Sequence, residues 1–245
     1  MTSGWEIAFG ELGLYFLISH KIREYYHELK NMDVITYYWF TMTILTLIWE
    51  CSFVYNFKSI NVLSQDLIRN NTHVWTNDYG IQYLWPWKSA FIFYAEYGAY
   101  ADREYMTDTN DWSRIIESSH AIFCGIFSFL VLYQKINNKL AGTSLDKYYI
   151  AVGVSMGSQV MNSILYMANY LIQINDRYNI NYCSEMFPCH RALSSRPFMY
   201  VNVFWAIMPS YTIISSWRDT KQNPSPRKPI TFGPKTHQKR SYRSY

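Results

Sequence analysis

The chain has 245 residues, of which 19% are aromatic and only 16% charged, against about 25% charged in ordinary soluble domains. Its net charge of +4 falls mostly in short connections and in the tail, which speaks for orientation in a membrane and against nucleic-acid binding. The mean hydropathy of −0.16 is low for a membrane protein, but 23 Tyr and 9 Trp contribute to it, and these residues suit membrane interfaces.

In chain order, Met1-Thr2-Ser3-Gly4-Trp5-Glu6 lacks the basic start of a cleavable signal. The stretch from Ile7 to Ser19, apolar apart from Glu11, is read as a first transmembrane helix, with an interfacial helix as the alternative. A polar linker from His20 to Asp33 follows. Val34 to Phe57 then gives 24 residues with one charge, Glu50, between Asp33 and Lys58. As a helix this stretch is about 36 Å long, enough for a hydrocarbon core of about 30 Å. A carboxylate at mid-membrane costs about 3 kcal/mol on insertion scales and so faces a bundle interior, either as a site or as a packing partner.

Lys58 to Gly80 is expected to be a polar segment, carrying the glycosylation triplet Asn70-Asn71-Thr72. Ile81 to Tyr100, broken by Pro86, Lys88 and Glu96, reads as a re-entrant or interfacial element. Asp102, Arg103, Glu104, Asp108 and Asp111 form a charged cluster, most simply a solvated loop or helix end. Three further spans are expected at Ile115–Gln134, Tyr148–Asn175 and Pro197–Trp217.

The expected fold is therefore all-α: a polytopic membrane bundle of about five transmembrane helices with a basic tail. The first helix and linker take residues 1–33, the bundle 34–219, and a basic, Pro-containing tail 220–245. Lys and Arg in the connections 20–33 and 135–147 and in the tail place those segments in the cytosol and 58–114 and 176–196 in the lumen. Cys183 and Cys189 then share an oxidising side and are disulfide candidates. Cys51 and Cys124 fall inside spans and read as small core residues.

Polar side chains recur inside these spans. Glu117 and His120 share a helix face, and Gln159, Asn162, Ser163 and Tyr166 form one stripe. Asn202 and Trp205 are three apart, with Pro209 after them. Each has a bland reading as helix-to-helix bonding or packing. Their joint occurrence on four spans is the signal. No phosphate loop, zinc spacing or serine triad is present in the sequence.

Several runs resemble the emopamil-binding protein family, the sterol Δ8–Δ7 isomerases with an EXPERA domain. Trp39-Phe40 through Ile48-Trp49-Glu50 to Phe53-Val54 is similar to the second helix of that family. Glu96-Tyr97, Asp102-Arg103 and Tyr105 resemble its Glu-Tyr…Asp-x-Arg-Tyr segment, with altered spacing. Glu117 stands where the family has its second acid, and Gln159 with Leu165-Tyr166 resembles its fourth helix. Asn202-Val203-Phe204-Trp205 with Pro209 is similar to its last helix, and the resemblance covers roughly residues 35–220.

The resemblance implies an endoplasmic reticulum membrane protein with a sterol-sized cavity and no metal or organic cofactor. Glu50 and Glu117 would move protons, Trp205 would face a carbocation, and Asn202 would support it. His120 joins the catalytic candidates, and Thr46, Gln159, Asn162 and Tyr166 the substrate-binding ones. One departure stands out: Thr46 occupies the family's His position, and His120 the position of a family Thr. Either the His–acid pair has moved to the facing helix or the relay is lost. The two functions that follow are a sterol or polycyclic terpenoid isomerase and a non-catalytic lipid-binding or structural subunit. The expected partners are a sterol or other lipid, the membrane, and a homodimer or larger membrane complex through the tail; nucleic acid is not among them.

Overall fold

The computed structural model describes residues 2–101, 113–137, 140, 143–173 and 197–222. Helices dominate it. A two-residue strand, β1 (Thr2–Ser3), leads into α1 (Gly4–Tyr25), where Ser3 and Glu6 satisfy each other's backbone N–H in a capping box. Helix α1 buries Ile7, Glu11, Tyr15 and Ser19, a stripe at intervals of four residues. The stripe is fastened at Tyr15, whose hydroxyl donates to the Tyr38 carbonyl at 2.7 Å, and at Ser19, whose carbonyl accepts from Tyr37 at 2.6 Å.

The expected linker 20–33 is largely helical, a correction to the sequence reading. Helix α1 continues to Tyr25, and α2 (His27–Lys30) follows. Polar composition concealed a closure made by Arg23, whose guanidinium donates to the carbonyls of Lys30 and Met32. Leu29 and Met32 are buried beneath that turn.

Helix α3 (Val34–Asn70) starts on Asp33, whose carboxylate accepts from the Thr36 N–H at 2.8 Å. It runs for 37 residues, or about 55 Å. The polar segment expected from Lys58 is thus helical as far as Asn70. Its charge misled because Lys58 lies on an exposed face, while Phe53, Ile60 and Leu67 recur every seven residues on the buried one. Asn71 ends the helix at φ 50°, a left-handed conformation Asn tolerates, and the Thr72 N–H bonds the Leu67 carbonyl.

Strand β2 (Asp78–Tyr79) pairs antiparallel with β1. Trp5 stacks on Trp75, with ring centres 4.4 Å apart. After a 3-10 turn (Ile81–Leu84), α4 (Pro86–Glu96) packs along the second half of α3 and ends in a π-helical turn (Tyr97–Ala101). At 11 residues α4 is about 16 Å long, too short to span a bilayer. A second π turn (Ser113–Glu117) opens α5 (Ser118–Asn137), which is followed by α6 (Thr143–Gln173) and α7 (Pro197–Gln222). The Asp102–Asp111 cluster, Cys183, Cys189 and most of the tail lie outside the described residues.

Among the described residues, two helices, Val34–Asn70 and Ile115–Asn137, are long and apolar enough to cross a membrane. Large apolar side chains on α1, α5, α6 and α7 point outward, among them Phe9, Phe129, Ile164 and Ile207. Polar ones point inward. Ser128 and Ser155 pair at 2.9 Å between α5 and α6, and the Ser155 hydroxyl also donates to the Cys124 carbonyl at 2.8 Å. Cys124 is buried in this seam and Cys51 is partly buried.

Two apolar cores sit at opposite ends of α3. One joins Leu29, Tyr37 and Phe40 to Val131, Tyr148 and Met156 of α5 and α6. The other joins Phe53, Ile60 and Leu67 to Ile7, Val74, Ile92 and Phe93. Between them α3 and α5 approach closely at Gly125, where an added Cβ would strike the Leu47 side chain and lie 3.1 Å from the Thr43 carbonyl oxygen. Gly125→Val is therefore expected to lower stability by about 1–3 kcal/mol. Gly153→Ala, which meets open space, should be neutral or add up to about 1 kcal/mol. Thermal unfolding of the two variants in detergent checks the pair.

Candidate functional site

The middle of α3, between the two cores, is where polar groups collect. A cavity of about 750 Å³ lies against Met42, Thr43, Leu45, Thr46, Trp49 and Glu50, and its other walls come from α1, α4, the two π turns, α5, α6 and α7. Glu50 is only 6% exposed, so its carboxylate needs partners from neighbouring elements. Tyr94 of α4 donates its hydroxyl to one oxygen, and Ser118 of α5 donates to the other at 2.9 Å.

Glu117 precedes Ser118 in the chain and faces the same cavity; it accepts from Asn162 of α6 at 2.8 Å. The π turn that ends at Glu117 sits at the junction with α5, and single widened turns of this kind are frequent at functional sites. His120, one turn on, lines the cavity with its Nε2 3.2 Å from the Cys124 sulfur. Thr46, at the departure position, also lines the cavity, but its hydroxyl donates back to the Met42 carbonyl at 3.0 Å.

The wall opposite is aromatic and amide. Trp205 lines the cavity and packs on Trp39 with ring centres 4.8 Å apart. Trp39 donates its indole N–H to Gln159 at 3.2 Å, and the Gln159 amide donates to Thr43 at 3.1 Å. Gln159 thus bridges α6 to α3 and holds the ring on which Trp205 rests. Asn202 and Tyr166 complete this side. Pro209 lies one turn beyond Trp205 inside α7, and having no N–H it leaves the Trp205 carbonyl without its helical donor.

All nine catalytic and substrate-binding candidates read from the sequence line this one cavity: Thr46, Glu50, Glu117, His120, Gln159, Asn162, Tyr166, Asn202 and Trp205. The chain matches no family model, no curated protein and no solved structure. Among the described residues, no group of three or more His, Cys, Asp or Glu is placed to hold a metal ion.

Sequence reasoning missed four contributors. Tyr94 and Ser118 bracket Glu50, and Glu11 and Glu96 add two more carboxylates to the lining. Glu11 accepts from the Trp49 indole at 2.8 Å. A lone acid in an apolar stretch was the available signal for Glu11, the same signal that singled out Glu50. Glu96 was visible as a break in an aromatic run and as part of the Glu-Tyr resemblance, without a role at the cavity.

The Gln159 bridge generates a stability test. Gln159→Leu keeps approximate volume but leaves the Trp39 indole N–H and the Thr43 hydroxyl short of a partner in a buried place. A loss of about 1–3 kcal/mol is expected, read as a lowered unfolding temperature in detergent.

Proposed function

We propose that the chain is a five-span membrane bundle of the emopamil-binding type that isomerises a ring double bond in a sterol or related polycyclic terpenoid. The observation that carries the reading is the convergence of Glu50, Glu117, His120, Asn202 and Trp205 on one largely apolar cavity. A volume of about 750 Å³ falls within the range of about 300–1,000 Å³ typical of small-molecule sites. The outward apolar faces of α1, α5, α6 and α7, with serines and amides turned inward, support the five-span arrangement. Two of the five helices meet the spanning criterion by length and composition alone.

The chemistry asks little of the protein beyond position. One carboxyl group adds a proton to a ring carbon, a carbocation forms, and a second carboxylate removes a proton from the neighbouring carbon. Glu50 and Glu117 serve these roles from facing helices, and no cofactor is needed. Trp205, backed by Trp39, presents an aromatic ring to the developing positive charge. Tyr94, Ser118 and Asn162 hold the two acids in place. The surrounding walls are largely apolar and aromatic, and electrostatic contacts strengthen where such walls exclude water.

The second reading, a non-catalytic lipid-binding or structural subunit, draws on one observation. His120 is joined to Cys124 along its own helix, and Thr46 is bonded back to its own helix. Both side chains line the cavity, yet each is engaged within its own helix, an arrangement that also suits a site without a proton relay.

One assay separates the two: conversion of Δ8 to Δ7 sterol in cells lacking their own isomerase. Wild type should convert, and Glu50→Gln and Glu117→Gln should each lose about 10²-fold or more while remaining folded. Trp205→Ala should weaken turnover by an amount corresponding to about 2 kcal/mol. If His120 replaces the histidine missing at Thr46, His120→Ala should cripple the rate and the double change Thr46→His with His120→Thr should partly restore it. No conversion by well-inserted wild type removes isomerisation and leaves the binding role.

A further inference from the structure

We propose that His73 and Glu96 form a proton port, through which the cavity carboxylates exchange protons with water beyond the end of α3. The proposal rests on the acid–base reading above. Acid–base isomerisation leaves the acid without its proton and the base with one, so the site must be reset between turnovers. The cavity walls are largely apolar and aromatic, and Glu96 is one of the carboxylates among them.

His73 lies in the segment following α3. Its side chain is 46% exposed, whereas that of Glu96 is 8% exposed. The His73 Nδ1 is 2.8 Å from Oε1 of Glu96, and the other Glu96 oxygen accepts the Val74 N–H at 2.9 Å. Glu96 itself lines the cavity that holds Glu50 and Glu117. One side chain therefore reaches water and touches a buried carboxylate, and that carboxylate gives onto the site.

The imidazole is also held still. Its ring lies against Tyr100 with centres 4.1 Å apart, and the Tyr100 hydroxyl donates to the carbonyls of Leu67 and Thr72 at 2.9 and 2.8 Å. The titratable groups close enough to feel Glu96 from the neighbouring elements are Tyr79 of β2 and Tyr100 of the π turn. Both are phenols, which keep their protons near neutrality. Among the described residues, the ion-pair partner of Glu96 is His73. Histidine is the side chain that exchanges protons readily in this range. A proton taken up at Nε2 from water is balanced by one released at Nδ1 to Glu96, and the reverse passage empties the site. Nothing is oxidised or reduced.

The bland alternative is that the pair only pins the segment 71–77 to α4. Infrared spectroscopy of the full chain in nanodiscs separates the two without using turnover, by following the buried carboxyl bands after transfer to deuterated water. In the wild type the cavity carboxyl bands should shift rapidly. His73→Gln keeps a donor to Glu96 but cannot relay, and should slow the shift by about tenfold or more with an unchanged unfolding temperature. His73→Ala should be slow as well and should recover when free imidazole is added, a rescue that a structural pin would not show. Wild-type rates in His73→Gln, or no recovery with imidazole, would overturn the port. Failure of sterol conversion with the exchange result intact would instead count against the substrate reading.

Discussion

A carboxylate withdrawn from solvent in the middle of the longest helix is the constraint on which the structure depends. Glu50 is nearly fully buried, and both of its oxygens are taken by hydroxyls from other elements, Tyr94 and Ser118. Leaving such a group unpaired would cost several kcal/mol, so α4 and α5 are tied to α3 at the same point. The neighbouring acid follows from this. Glu117 adjoins Ser118 in the chain, and fixing the serine on Glu50 brings Glu117 to the same cavity, where Asn162 of α6 meets it. Four elements are registered by two carboxyl groups.

The apolar side chains organise everything else around this polar centre. One core closes the bundle at the start of α3 and another at its far end, so packing density is spent at the two ends and a cavity survives between them. Ordinary soluble domains keep their large apolar groups inside. Here many of them face outward while serines, amides and carboxylates face inward, and two of the helices are long and apolar enough to cross a membrane. Helix contacts then rely on small groups, as where Gly125 meets Leu47 and where Ser128 meets Ser155.

Much of the candidate site was legible in the sequence because charged and amide side chains in long apolar runs are rare enough to be read singly. Glu50 and Glu117 could each be found as an exception to an apolar run, helical spacing put His120 beside Glu117 and Asn162 on a stripe with Gln159, and Trp205 came from its spacing to Asn202 and from the family resemblance. What was not legible depended on partners distant in sequence. Lys58 looked like the end of a helix, yet the seven-residue recurrence of Phe53, Ile60 and Leu67 carried α3 on to Asn70. The segment after His20 looked like a linker because the carbonyl contacts of Arg23 cannot be inferred from composition. Glu96 read as an interruption, and only the fold sets His73 and Val74 against it. The dominance of helices followed from composition and long apolar runs, whereas the brackets that place each acid are tertiary.

The proposed function requires the cavity along α3 to accept a sterol-like ring system. Photoaffinity labelling with a diazirine-bearing sterol, in native membranes and mapped by peptide mass spectrometry, tests it most directly. Label is expected on Thr46–Glu50, Glu117–Ala121, Gln159–Tyr166 and Asn202–Trp205, lost when excess unlabelled sterol competes. Label confined to outward residues such as Phe129 and Ile164, and indifferent to competitor, would contradict it.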